Sequence, residues 1–295
     1  WKEVDGDLEL VMDPEEEIVL EDGRGGRAII KYVPPDQPNE GLGFRICPDG
    51  NQSPLFTKVS DDLQALSDAL SGSHLTERMA HQALRQRITP KISYPMHLAS
   101  FPEDWCDKLN TKIRRAVLPQ MHINRSVPDA LLYAPEEFGG LEFPETYTLQ
   151  DQLQLEYLLK QLRWDHTVAP ELLITLDNIQ LTTGFVSPIL WNTSRPIEYV
   201  NQGLLISLRN RMSEINAQFW IHAWTPPLQR VNDVSIMEAL MSIPGITPAQ
   251  LKAANRVRLY LRVITLADIV DPTGEFIPAS SHNGEWTSGT DLEWP

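Results

Sequence analysis

The chain has little cysteine: Cys47 and Cys106 are the two present among 295 residues. They lie far apart, so neither a disulfide framework nor a Cys-x-x-Cys metal site is implied. Such usage fits a reducing compartment. No apolar run approaches the roughly 20 residues a membrane helix needs. No basic segment leads into an apolar stretch near the start, as a secretory signal would require. The expectation is an intracellular protein without membrane contact, with nothing to separate nucleus from cytoplasm. Without a secretory signal, the glycosylation patterns Asn124-Arg125-Ser126 and Asn192-Thr193-Ser194 carry no weight.

Patterns of metal and nucleophile chemistry are missing too. His74, His81, His97, His122, His166, His222 and His282 show no His-Glu-x-x-His spacing and flank no nucleophile motif. The acidic run Glu15-Glu16-Glu17 lacks the alternating spacing of a calcium loop and reads as a solvated turn. Gly23-Arg24-Gly25-Gly26 is not followed by a helix, so it reads as a hairpin turn rather than a phosphate loop. No catalytic residue, metal ligand or cofactor is assigned.

Basic charge is scarce. The chain carries 25 Lys and Arg against 40 Asp and Glu, a formal net charge of −15. A nucleic-acid-binding surface is normally basic, because phosphate contacts supply most of the non-specific affinity. The distribution matters more than the total. Residues 1–50, 131–200 and 271–295 are net acidic, whereas 51–130 (10 basic, 8 acidic) and 201–270 (7 basic, 4 acidic) are weakly basic. Phosphate contacts are therefore to be sought in 78–125 and 209–262.

What is present is mostly helical patterning. Residues 1–50 are the exception. Leu8, Leu10 and Met12 alternate with other residue types, Ile18 to Leu20 is a short apolar run, and Ala28 to Val33 and Leu42 to Ile46 read as further strands. Together they predict a small antiparallel β portion. From Leu55 the period becomes helical, with Val59, Leu63, Leu66 and Leu70 on one face. A second helix is expected from Leu75, with Met79, Ala83 and Ile88 on one side and Pro90 and Pro95 breaking or kinking it. A third runs from Glu103 to Leu118 with Trp105, Leu109, Ile113 and Ala116 inward. After an irregular stretch, a helix carries Leu149, Leu153, Tyr157, Leu158 and Leu162, with Thr148 as a candidate cap. Further helices are predicted near 170–179, 199–215, 233–242 and 248–263, the last started by Thr247-Pro248. Phe219-Trp220-Ile221 reads as a strand or a buried loop. From Asp271 onward an irregular tail is expected, with Trp286 and Trp294 as anchors.

Four motifs follow one another along the chain. They are Leu42-Gly43-Phe44 running into Pro48-Asp49-Gly50, Ile92-Ser93-Tyr94-Pro95, Phe138-Gly139-Gly140-Leu141 with Pro144, and Arg258-Leu259-Tyr260-Leu261-Arg262-Val263. In this order the chain resembles the region after the catalytic palm in reverse transcriptases of eukaryotic non-LTR retroelements, of the algal and diatom type. The family's aromatic-x-Asp-Asp hairpin is absent. Asp61-Asp62 is no substitute, because Val59-Ser60-Asp61-Asp62 reads as a helix start, where acidic side chains suit the helix dipole. Trp1 at the start and the absent palm lead to the expectation of a fragment whose palm and fingers lie elsewhere.

The resemblance implies a mainly α fold: a β-rich palm-edge and primer-grip-like segment (1–50), a thumb-like helical bundle (51–130), a helical extension (131–270) and a tail (271–295). It implies a contribution to primer–template binding in RNA-directed DNA polymerisation, the partner being an RNA–DNA or DNA duplex. Mg²⁺ is expected only for an intact parent polymerase, because two-metal phosphoryl transfer needs converging carboxylates. The residues it points to for nucleic-acid contact are Leu42, Gly43, Arg78, Arg85, Arg87, Lys91, Lys112 and Arg115. Lys108 and Arg114 fall on the same helix as the last two. A glycine at 43 lets a backbone approach closely, and the Gly139-Gly140 pair permits a sharp reversal. The acidic balance supports a rival from another class, a non-catalytic helical interaction or scaffold protein derived from a decayed element.

Overall fold

A computed structural model describes residues 2–4, 7–9, 18–21, 26–30, 34–41, 43–163, 168–200, 203–221, 224–271 and 273. The fold is mainly α, with a small antiparallel β portion near the N-terminus. It divides into two compact units, residues 1–150 and 151–295. Among the described residues, no helix is long and apolar enough to cross a membrane.

Among the described residues the β portion is three two-stranded ribbons. β1 (Lys2–Val4) pairs with β2 (Asp7–Glu9), β3 (Ile18–Glu21) with β4 (Arg27–Ile30), and β5 (Asn39–Gly41) with β6 (Phe44–Ile46), all antiparallel. Leu10, Met12, residues 31–33, Leu42 and all of the Gly23–Gly26 turn except Gly26 lie outside the described residues. Of the expected Leu42–Ile46 strand, Gly43 lies in a turn and Phe44–Ile46 form β6. Gly43 sits in that turn at φ 87°, a conformation glycine adopts without strain.

Unit 1 is built on α1 (Ser53–Ser71) packed against α4 (Glu103–Val117). Leu55, Val59 and Leu63 meet the α4 face of Cys106, Leu109, Ile113 and Ala116, all buried as their spacing requires, whereas Leu66 and Trp105 are half-buried. Phe56 stacks 4.5 Å from Trp105 and 5.6 Å from Phe101, closing one end of this core. α1 starts at Ser53, so Asp61 and Asp62 lie in the helix interior and not at its start. The dipole explanation for them therefore fails, since that effect is confined to the first turn.

Between these helices run α2 (Glu77–Ala83), a π-helical turn (Leu84–Ile88) and α3 (Thr89–Met96). The buried stripe is Ala80, Leu84, Ile88, Ile92 and Met96, stepping by four, with Met79 half exposed. Of the expected face Ile88 is buried, while Met79 and Ala83 are one residue out of phase with the stripe. Of the expected break or kink, the break does not occur. Pro90 lacks the N–H an α-helix would use and crowds the carbonyl four residues back. The π turn directly before it widens the ladder, and the chain continues into α3, which holds Pro95 inside.

α5 (Asp129–Tyr133) and a 3₁₀ turn (Glu136–Phe138) lead into the glycine pair. Gly139 takes φ 78°, and a Cβ on Gly140 would lie 2.0 Å from the Ala134 carbonyl oxygen. The pair is a tight reversal, as its sequence indicated. α6 (Thr146–Arg163) follows. Its cap is Glu145, whose carboxylate accepts from the backbone N–H of Tyr147 and Thr148, so Thr148 is the capped residue and not the cap. Its buried stripe is Thr146, Gln150, Gln154 and Leu158; of the expected face Leu158 is buried, whereas Leu149, Leu153 and Tyr157 are half-buried.

Unit 2 holds α7 (Val168–Thr183), α8 (Leu204–Glu214), α9 (Ile236–Met241), α10 (Pro248–Leu261) and α11 (Leu266–Ile269). Thr247 forms a full capping box with Gln250 at the start of α10. One core gathers Phe185, Ile197, Tyr199, Ile206, Met237 and Ala254; another gathers Leu158, Leu176, Leu190, Leu205, Leu208 and Met212. Phe219-Trp220-Ile221 is a loop and not a strand; Phe219 and Ile221 pack half-buried against the second core, while Trp220 is 64% exposed. Apart from Asp271 and Thr273, the expected tail with Trp286 and Trp294 lies outside the described residues.

Candidate nucleic-acid interface

A groove of about 730 Å³ lies in unit 1, lined by residues of α1, the π turn and α3, and by Gly43. Its polar lining is Lys58, Asp62, Gln86, Arg87, Lys91 and Tyr94. Three of the residues expected from sequence, Gly43, Arg87 and Lys91, meet here. Arg87 and Lys91 are one turn apart, so the helix presents both to the same side.

The groove's cations differ in how far they are already neutralised. Lys58 pairs with Glu40 and Lys91 Nζ lies 3.1 Å from Asp62 Oδ2. The Lys58 ammonium holds the Glu40 carboxyl below the usual carboxylate range. Arg87 is exposed and has no ion pair among the described residues. The guanidinium of Arg87 is therefore the cation most open to a phosphate.

The other expected residues do not line the groove. Leu42 lies outside the described residues. Arg78 and Arg115 are exposed on α2 and α4. Arg85 pairs with Glu142 and approaches Glu136 at 3.9 Å, which ties it to the glycine-pair loop. Lys112 donates to the Ser60 carbonyl at 3.0 Å and to its hydroxyl at 2.6 Å, so it links α4 to α1. Nearby, Arg114 donates to Asp129 and to the Tyr133 hydroxyl, both at 2.6 Å. Among the described residues, no group of three or more His, Cys, Asp or Glu is placed to hold a metal ion.

Four polar groove residues were not expected to serve there: Lys58, Asp62, Gln86 and Tyr94. A signal for Tyr94 existed, since Arg87, Lys91 and Tyr94 are spaced four and three, which puts them on one helix face. Within the 209–262 stretch where phosphate contacts were also expected, Arg209 and Arg258 are instead buried in unit 2. Arg209 donates to the carbonyls of Ile189, Asn192 and Arg195, and Arg258 to those of Leu181, Thr182 and Val263 and to Asn255 Oδ1. Burial pulls both guanidinium groups down to a pKa of about 10. A Cβ on Gly184, itself at φ 72°, would lie 2.7 Å from Arg258 Cζ. The closing Arg258–Val263 motif thus works as an internal lock. Arg258 ties α10 to the end of α7, and the neighbouring Ser235 hydroxyl donates to the Gly184 carbonyl.

Compared with known proteins, the chain matches no protein-family model, no curated protein and no solved structure.

Proposed function

We propose that this chain contacts the backbone of a primer–template duplex, as the part of an RNA-directed DNA polymerase that follows the palm, and does not catalyse by itself. The observation that carries this reading is the shared groove of Gly43, Lys58, Arg87 and Lys91. Two regions separated in sequence, the hairpin turn and the π turn with α3, are among those that the resemblance points to for nucleic-acid contact. A phosphate there would meet the unpaired Arg87 first and could draw Lys91 from Asp62, since a guanidinium pairs well with phosphate oxygens.

The test is fluorescence anisotropy of a labelled RNA–DNA duplex at two salt concentrations, with wild type and Arg87→Ala/Lys91→Ala. Counterion release makes affinity fall steeply with salt, and each lost phosphate contact makes the slope shallower by about 1. Arg85→Ala should leave the slope unchanged, because Arg85 already pairs with Glu142. With primer–template, Mg²⁺ and dNTPs the chain should extend nothing; extension abolished by Asp62→Ala would overturn the non-catalytic part.

A second reading has its own observation. Most basic side chains near the groove already face carboxylates, as in Lys58–Glu40, Lys91–Asp62, Arg85–Glu142 and Arg114–Asp129, and the net charge is −15. That arrangement suits a helical interaction or scaffold protein. Absence of duplex binding at low salt would favour it.

A further inference from the structure

We propose that the Tyr94 ring is a stacking platform for an unpaired base at the end of a nucleic-acid strand. The proposal rests on the reading of the groove as a phosphate-contacting surface and adds what the groove selects. Tyr94 is 51% exposed and lines the groove beside Arg87 and Lys91. The exposed part of a large aromatic ring is flat and apolar, and suits another flat ring.

The ring is held rather than dangling. Phe44 of β6 packs on it with centroids 4.9 Å apart and planes at 49°. A Cβ on Gly43 would come 3.6 Å from Tyr94 Cε1, so the hairpin turn abuts the ring edge. Its helical neighbours Ile92, Pro95 and Met96 are buried, which fixes the backbone beneath it. Phe44 lines a different depression, of about 200 Å³, together with Cys47, Gln52 and Leu98. Phe44 therefore backs Tyr94 from outside the groove, and Tyr94 is the aromatic that the groove presents.

A cation at one helical turn and another at two turns before the ring matches how single strands are held. Cations track the backbone while an aromatic takes a base, with little sequence preference because every base has a π-face. Inside a duplex, neighbouring bases cover both faces of each base. Only a terminal or unpaired base has a face free for Tyr94. The groove thus fits a strand end better than continuous duplex.

The experiment compares three labelled RNA–DNA duplexes by anisotropy: blunt, with one unpaired nucleotide at the end, and with that nucleotide abasic. Base stacking on an aromatic is worth about 5- to 150-fold in affinity. The unpaired base should raise affinity by a factor in that range over the abasic duplex. Tyr94→Ala should erase the difference, Tyr94→Phe should keep it, and neither should change the salt slope. Arg87→Ala should weaken all three duplexes and keep the preference. Equal binding of the unpaired and abasic duplexes by wild type overturns the platform and leaves the phosphate reading standing, and needs no variant to fold. Preference kept by Tyr94→Ala also overturns it. If none of the three duplexes binds at low salt, the reading of the groove itself falls.

Discussion

Replacing Gly140 by alanine should be among the most damaging one-carbon changes in unit 1. The added Cβ would lie 2.0 Å from the Ala134 carbonyl oxygen, 2.4 Å from its carbon and 2.5 Å from its Cβ. Backbone, not a flexible side-chain end, is in the way. Ala134 cannot retreat freely, because its carbonyl accepts the Glu142 N–H at 3.0 Å and the strand-like bonds Leu141 N–H to Leu131 and Phe143 N–H to Leu132 flank it. Overpacking costs about 1–3 kcal/mol. Loss of one or two of these backbone bonds adds about 0.5–1.5 kcal/mol each. Gly140→Ala should therefore destabilise by roughly 1.5–6 kcal/mol. Gly139→Ala is the internal control. Gly139 has open space around its Cβ position but sits at φ 78°, so only the left-handed penalty of about 1–2 kcal/mol applies. Urea unfolding followed by far-UV circular dichroism measures both. A Gly140→Ala chain within 0.5 kcal/mol of wild type, or a larger loss for Gly139→Ala, would refute the steric reasoning.

Other perturbations follow from the same contacts. Arg258→Met removes the donor shared by Leu181, Thr182 and Val263, and should cost on the order of 3–5 kcal/mol in urea unfolding. Gly184→Ala should destabilise the same region, since its Cβ would meet Arg258. Leu63→Ala and Leu109→Ala, on facing sides of the α1–α4 core, should each cost ~2–5 kcal/mol, and Leu66→Ala less because Leu66 is half-buried. Glu145 gives a pH-dependent term. Burial raises its carboxyl, but bonds from Thr148, Asn110 and the Tyr147 N–H outweigh that and hold it below 4.5. A depressed folded value means the stabilisation is present above 4.5 and is lost as pH falls through the folded pKa. Glu145→Gln should thus cost about 1 kcal/mol at neutral pH, with the gap to wild type closing in acid.

Helix positions were legible because apolar spacing reports burial where the buried side chains are apolar. α1 and α4 obey that rule through Leu55, Val59, Leu63, Leu109 and Ile113. α6 does not. Its inward stripe uses Thr146 and Gln150, which bond the Cys106 carbonyl and both backbone groups of Phe101. A hydrophobic count assigns such residues to solvent. The α2–α3 phase slipped for a related reason: Met79 and Ala80 are adjacent and both apolar, and composition alone does not rank a large exposed side chain below a small buried one. The π turn before Pro90 is a backbone solution that no single residue announces. At the site, Gly43 was visible in a motif and Arg87 and Lys91 in the basic stretch after it, whereas the destinations of Arg85 and Lys112 depended on Glu142 and Ser60, distant in sequence. Arg258 stood in a motif and Arg209 in a stretch where phosphate contacts were sought, but both are buried, which their sequence did not show because arginine is expected outside.

Photo-cross-linking bears most directly on the proposed interface. The chain would be irradiated with an RNA–DNA duplex carrying a photoreactive end nucleotide, and the adducts mapped by mass spectrometry. Adducts concentrated in residues 43–58 and 86–95, reduced by Arg87→Ala/Lys91→Ala, are expected. Adducts confined to residues 151–295, or none at low salt, would contradict a groove that holds nucleic acid.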